Sequence, residues 1–372
     1  MKNIFKLLAF LPLLTACDDL FEPALENNRD LEAMHKEPSY AQGILANAYI
    51  ILPYETSPTS DLATDDAVTN EISSNYLRMA TGSWTANNNP VSQWQNRFNA
   101  ILYINLFLEN VDKVEWAKDE RISTMFLDRL KGEAYGLRAL HMYYLLRAHG
   151  GKIADGTLMG VPIILKSEGP DADFNHARAT YSDCVKQIME DADKAIELLP
   201  LDYKKFADSE IPEKYKNIGV TNASDYRRVC GEEYRGLMSG RIALAVRAQT
   251  ALLAASPAFQ SGSGMTWEQA ADYAAEIIEK ANGGGGCGLD ADGLEWYTLA
   301  DKDYGTGGSP AEVIWRSSTD DNNTLETANF PPSLYGNGRV NPTQNLVDAF
   351  PMANGYPISE TSGNYDAENP YD

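Results

Sequence analysis

The sequence predicts a mainly α fold: TPR-like helical hairpins, arranged as a degenerate α-α superhelix, with a loop-rich subregion inserted and docked on them. Three observations carry this expectation. The stretch from Leu130 to Gly151 (LKGEAYGLRALHMYYLLRAHGG) is helical in period, yet apolar on more than one face. Further helical segments, stopped by Pro or Gly, recur at the spacing of helical hairpins but follow no TPR consensus. From Gly283 onward the texture changes to Gly, Asp, Asn and Tyr with short extended pieces.

Leu130, Ala134, Leu137, Leu145 and Ala148 share one side of the first stretch. Tyr135, Ala139, Met142, Tyr143 and Leu146 cover its flanks, so neighbours are expected on several faces and the helix is expected to be central. Gly132 and Gly136, one turn apart, each cost roughly 1 kcal/mol of helix propensity relative to Ala, a cost explained if a neighbouring helix approaches closely there. The polar N-terminal part begins near Asp119, and Gly150-Gly151 are expected to stop the helix through a left-handed C-cap.

The remaining helices follow in order. Residues 18–37 read as a polar tether. Pro38 to Leu52 carries Tyr40, Ile44, Ala48 and Ile51 at helical spacing, and Pro53 ends it. Residues 54–90 are rich in Ser, Thr, Asn, Asp and Pro, a long loop that a compact fold keeps for function or as a cover. Val91 to Trp116 shows an apolar side of Trp94, Phe98, Ile101, Leu102, Leu108 and Val111, with Asn105 on that side as a buried, hydrogen-bonded packing residue. With the central helix it forms an antiparallel hairpin. A second pair is Tyr181 to Leu199, stopped by Pro200, and Ser239 to Ser256, stopped by Pro257; Trp267 to Asn282 is a further amphipathic partner. Beyond it, EVIWRSS at 312–318 is the extended piece of the loop-rich subregion, 283–372.

Of 372 residues, 44% are hydrophobic and 23% charged, an ordinary globular composition. Lys and Arg number 31 against 53 Asp and Glu, a net charge of −22 that disfavours nucleic acids, anionic membranes and polyanionic substrates. Neutral ligands or locally basic partners fit better. Residues 1–16 have a basic start (Lys2, Lys6) and an apolar core, Leu7 to Leu14, too short to span a bilayer, and so read as a signal peptide. Without it the net charge becomes 29 − 53 = −24.

Catalytic and metal motifs are weak. The glycine run at 283–286 trails a helix and no Lys-Ser/Thr follows, so it reads as a cap and loop, not a phosphate cradle. LDADGLE (289–295) and PDADF (170–174) lack the full ladder of a calcium loop. His141 and His149, eight residues apart on one helix, are two turns apart and read as packing or surface residues. Cys184, Cys230 and Cys287 show no metal-ligand spacing; Cys184 reads as a small buried hydrophobe, and a Cys230–Cys287 bridge is open in an exported chain. There is no Gly-x-Ser-x-Gly and no His-Glu-x-x-His, so no enzyme is expected, although paired carboxylates for glycoside hydrolysis need not be sequence neighbours. No cofactor is expected.

Several of these stretches resemble the RagB/SusD family of bacteroidete outer-membrane nutrient-binding lipoproteins. The central helix running through Gly150-Gly151 into GVPIIL (160–165) is one match, and SGRIALAVRAQTALLAAS with its SPAF (256–259) is another. PTQNLVDAFPMANGYPI, at 342–358, is similar to the family's "PTQELVDAFPMKDGKPI" almost position for position. Leu14-Thr15-Ala16-Cys17 looks like a lipobox, which implies lipidation at Cys17 and an outer-membrane anchor. Asp18-Asp19 resembles the family's signal for surface export. The chain ends at ENPYD, where the family pattern continues, so the resemblance implies a C-terminally short member with an apolar patch that longer members cover.

The implied function is capture of a glycan at the cell surface and delivery to a SusC-like TonB-dependent transporter. A peptide-binding, RagB-like uptake lipoprotein is the alternative, and a TPR-like interaction scaffold that binds nothing small is a third reading. Sugar rings present C–H faces that stack on flat aromatic side chains while polar neighbours take the hydroxyls. Trp84 fits best, in the long loop and beside Asn87 and Asn88; Trp296 and Tyr297, in the Gly/Asp-rich segment, come second.

Overall fold

The computed structural model describes residues 31–53, 60–85, 87–281, 288–289, 312–317, 322–353 and 355–358. The major helices are α1 (Pro38–Ile50), α2 (Asn75–Ala80), α3 (Trp94–Asn110), α4 (Glu120–His149), α5 (Tyr181–Leu198), α6 (Ala223–Cys230), α7 (Gly240–Ala255) and α8 (Trp267–Ala281). Beyond them lie α9 (Thr324–Asn329) and α10 (Gln344–Ala349). The architecture is mainly helical, as the sequence predicts.

Packing runs from α1 through α3, α4, α5 and α7 to α8, each helix against the next, with α4 at the centre and touching α7 as well. Asp119 caps α4, its side chain accepting from the Arg121 N–H at 2.9 Å. Leu137, Ala139, Met142, Leu145 and Leu146 are buried, so the multi-faced pattern does correspond to a central helix. A Cβ on Gly132 would lie 2.6 Å from Leu199 Cγ, and one on Gly136 would lie 2.6 Å from Met238 Cγ and 3.3 Å from Ala195 Cβ. The two glycines therefore mark close approach of the following segments.

The exit of α4 departs from expectation. Gly150 is extended (φ −74°, ψ 149°), not left-handed, and passes directly into β2 (Gly151–Lys152), which pairs antiparallel with β3 (Leu158–Met159). The glycine is needed for space instead: a Cβ there would meet the Leu146 carbonyl oxygen at 2.6 Å and the Tyr181 ring at 2.9 Å.

Three other expectations are adjusted. The tether does not extend to residue 37: Ala33–Lys36 is a helical turn with Met34 fully buried, and His35 Nε2 lies 3.2 Å from Asn110 Oδ1. The helix read as Val91 to Trp116 is α3 followed by a 3-10 turn, Val111–Lys113. The loop of 54–90 holds a 3-10 turn (Ser60–Ala63), β1 (Ala67–Thr69) and α2; β1 pairs antiparallel with β4 (Val340–Pro342), so Ala67 faces Pro342 and Thr69 faces Val340. Thr343 caps α10 and its N–H donates to the Asp66 carbonyl at 2.9 Å, which joins the acidic loop to the PTQNLVDAF motif.

A second core lies under the N-terminal half of α4, where Ile122 and Met125 pack with Ile211, Tyr215, Val220, Tyr226 and Val229. Cys230 is buried there as a free thiol, and burial pushes its pKa up to about 12; Cys287, its candidate bridge partner, lies outside the described residues. Cys184 is fully buried, its Sγ 3.3 Å from both the N–H and the carbonyl of Val161. Of the EVIWRSS piece, 312–317 is described: it forms no strand, and Ile314 and Trp315 pack against the helical core, with Trp315 Nε1 donating to the Gly236 carbonyl at 2.8 Å.

Candidate functional site

Exposed aromatic side chains occur at several places among the described residues, and two of these combine held backbone with neighbouring polar side chains. The first is the hairpin after α2. Thr81 N–H and Gly82 N–H close the helix end on the Leu77 and Met79 carbonyls, both at 3.0 Å, and Ser83 N–H donates to the Arg78 carbonyl at 2.9 Å. Gly82 has φ +65°, a conformation that favours glycine and turns the chain outward. Thr85 and Asn88 then form a tight antiparallel bridge, with the Asn88 N–H donating to the Thr85 carbonyl at 3.0 Å. Trp84, at the base of this turn, is 48% exposed, and Asn87 and Asn88 are exposed beside it in sequence. The indole is thus no core plug, and its backbone is fixed on both sides. Trp296, Tyr297 and Cys17 lie outside the described residues.

The second place is a cleft of about 250 Å³ between α3 and the segment leaving β3. Trp94, Phe98 and Leu102 form the helix wall, Pro162 and Ile164 face them, and Phe174 stands at the side. Asn99, Lys166, Glu168 and His176 supply its polar atoms, with Glu168 Oε1 2.7 Å from His176 Nε2. Trp94 and Leu102, on the apolar side of α3, are 44% and 37% exposed where they line the cleft. The Trp84 hairpin is not part of this lining.

Buried polar side chains hold the walls. Asp191 on α5 accepts two hydrogen bonds from Arg138 of α4, at 2.7 and 2.8 Å. Arg138 Nη1 donates to Asn105 Oδ1 at 2.9 Å, and the Asn105 amide donates to the Ile164 and Lys166 carbonyls at 2.9 and 3.1 Å. Asn105 is buried and hydrogen-bonded as expected, but it fixes a loop wall as well as a helix contact. Glu109 adds a clamp, accepting from the Ser167 N–H at 2.8 Å and its hydroxyl at 2.5 Å. These bonds satisfy a segment whose carbonyls have no ladder partner, a requirement for ordered backbone.

The two histidines of α4 also act structurally. His149 Nε2 accepts the Gln93 N–H at 3.0 Å and its ring meets the Trp94 ring edge-on at 5.4 Å, which orients the first turn of α3. Burial, then the nearby Arg178, hold the His149 pKa below its ordinary range, in keeping with a neutral acceptor. His141, fully buried, lies between Arg97 Nη1 and the Ala48 carbonyl, each at 3.1 Å, and burial followed by the Arg97 charge lowers its pKa to about 3. In PDADF, Asp173 Oδ1 accepts from the Asn175 N–H at 2.9 Å and its amide at 3.0 Å, closing its own turn. Among the described residues no group of three or more His, Cys, Asp or Glu is placed to hold a metal ion.

Sequence reasoning picked out Trp84 as an aromatic side chain outside the core and did not indicate the cleft. The signal available was GVPIIL, an apolar run after the end of α4 that continues into polar Lys166-Ser167-Glu168. Such a run needs an apolar face to lie against, and the outer stripe of α3 is that face.

A SusD-like family model, described as starch-binding and associating with the outer membrane, matches residues 25–214. No match is found among curated protein sequences. Among solved structures, a SusD-like protein from Bacteroides fragilis NCTC 9343 superposes with a TM-score of 0.62 at 18% identity, covering 91% of this chain and 57% of its own. A SusD superfamily protein from Bacteroides vulgatus ATCC 8482 gives 0.57 at 17%, covering 83% and 61%. A SusD-like carbohydrate binding protein from B. fragilis NCTC 9343 gives 0.56 at 18%, covering 90% and 57%. The likeness to these structures establishes a shared fold, and the chain spans about 57–61% of their length.

Proposed function

The chain belongs to the SusD-like family, whose description is starch-binding with outer-membrane association, and on that premise we propose that it captures a neutral glycan at the cell surface. In this reading Cys17 is acylated and anchors the protein in the outer membrane, and the captured oligo- or polysaccharide passes to a SusC-like TonB-dependent transporter. The protein binds without cleaving.

One observation carries the reading: Trp84 is a half-exposed indole on a hairpin held by backbone bonds at both ends, with Asn87 and Asn88 in the same turn. A rigid flat face loses little conformational freedom when a sugar ring stacks on it, and the two amides both donate to and accept from hydroxyls. The charge of −22 favours a neutral polymer over an anionic one.

The test is affinity electrophoresis of wild type and Trp84→Ala against a panel of neutral polysaccharides, with peptides run in parallel by calorimetry. Trp84→Ala should reduce retention by whichever polysaccharide holds the wild type, with the melting temperature nearly unchanged. Unaltered retention removes Trp84 from the site. Binding of peptides but no glycan replaces this reading with the peptide one, and binding of neither leaves the scaffold.

A further inference from the structure

We propose that the cleft between α3 and the 162–176 segment is a second carbohydrate site, separate from the Trp84 hairpin, that receives a single neutral pyranose ring. This rests on the glycan reading of the protein and adds a place and a ring-sized subsite to it. A hairpin platform offers one face; the cleft sets Trp94 and Phe98 of α3 beside Phe174 of the facing segment.

The occupant follows from the lining. The apolar walls suit a ligand with C–H faces, while Asn99, Lys166 and Glu168 supply donors and acceptors at its edge. A wholly apolar guest would take water from those groups and return nothing, at a cost comparable to a lost hydrogen bond for each. An anion would meet Glu168 and the field of a −22 chain. Glu168 Oε1 lies 2.7 Å from His176 Nε2, and Lys166 and Glu168 bring opposite charges to the same rim, so the cleft does not demand a charged ligand. A neutral polyhydroxylated ring with an apolar face matches both halves of this surface.

The construction of the site supports a binding role. Asp191, Arg138 and Asn105 are 0%, 5% and 0% exposed, and the chain they form ends on the Ile164 and Lys166 carbonyls, directly behind the wall. Burying an ion pair is a poor route to stability in itself, so its position under a loop segment is better explained by the need to hold that wall in one place. Preorganised walls reduce the ordering that a ligand must impose.

The experiment uses the protein labelled with 5-fluorotryptophan, with the fluorine resonances of Trp84 and Trp94 assigned from Trp84→Phe and Trp94→Phe variants. The probes are the methyl glycosides of glucose, galactose, mannose and N-acetylglucosamine, with N-acetylphenylalaninamide as an apolar peptide side-chain probe. At least one glycoside should shift the Trp94 line, both in wild type and in Trp84→Ala protein. Phe174→Ala, at a position already 62% exposed and so tolerant of change, should weaken that response about tenfold. The proposal is overturned if no glycoside moves the Trp94 line, if N-acetylphenylalaninamide alone moves it, or if the response vanishes with Trp84→Ala. A shift of Trp94 with no shift of Trp84 by any glycoside supports the cleft and counts against the hairpin.

Discussion

The helical body and the layer laid over it are stabilised in different ways. In the body Phe107, Leu137, Ala192 and Ala251 lose all solvent contact, and the helices hold one another through apolar surface. In the described part of 322–358 no residue is buried. That layer is held by hydrogen bonds to the acidic loop: the β1–β4 ladder, Thr343 N–H to Asp66, Asn70 Nδ2 to the Asn337 carbonyl at 3.0 Å, and Arg339 to Asn70 Oδ1 at 3.2 Å. Apolar burial gives the body a cooperative core, whereas exposed hydrogen bonds contribute little net stability each and open locally. The cleft lies on the body itself, along α3, whereas the Trp84 hairpin hangs from α2, which packs on the Ser60–Ala63 turn.

The largest effect expected inside the body comes from removing a charge the core has already enclosed. Asp191→Ala leaves Arg138 buried without its partner and should cost about 3–5 kcal/mol in urea unfolding. The double variant Arg138→Met/Asp191→Leu should recover much of that loss, because the pair itself is not the source of stability. Its cleft wall should still be loosened, seen as faster amide exchange around 163–168, since Asn105 loses the group that fixes its amide. A double variant as unstable as the single one would mean that the ion pair, and not the wall it orients, is what the fold requires.

Next is the close approach at the middle of α4. Gly132→Leu must displace Leu199 and the Cβ of Leu198, 3.1 Å from where a new Cβ would stand, and overpacking of this kind costs about 1–3 kcal/mol or more. Calorimetric melting checks it; a Tm equal to wild type would place that face of α4 away from its neighbours.

What could be read in advance divides along the same line. Helical period, Asp119 as a cap and Pro200 and Pro257 as stops are local signals, so the helices were legible from neighbours a turn apart. Trp84 was legible for a related reason: turn residues on both sides leave an aromatic ring no helix face to join. The β1–β4 pairing was not, since three-residue strands carry almost no periodicity and the partners stand far apart, as Asp65 and Thr343 do at a separation of 278 residues. The cleft was hidden in a pattern that looked complete. Trp94 and Leu102 share the stripe of buried Ile101 and Asn105, and periodicity says which residues face inward without saying what stands opposite. Gly150 misled because glycine after a helix has two uses, a left-handed turn and a lack of bulk, and only the neighbours decide between them.

The smallest effect is expected in the layer. Thr343 accepts from the Leu346 N–H at 3.4 Å as the cap of α10, and its hydroxyl donates to the Asp65 carbonyl, so one side chain joins the helix start to the loop. Thr343→Val keeps the shape and removes both bonds, and a lost cap costs about 1 kcal/mol. If the layer is a local unit, that cost falls on its own opening: amides of 340–349 and 67–69 should exchange faster by about fivefold, while the core amides of α4 and the global Tm stay as in wild type. Glycan retention through Trp84 should also persist, because the hairpin hangs from α2 by the Leu77, Arg78 and Met79 carbonyls and not from Thr343. Equal acceleration of exchange in α4 would show that layer and body unfold together, and the division between apolar body and hydrogen-bonded layer would then describe composition without describing cooperativity.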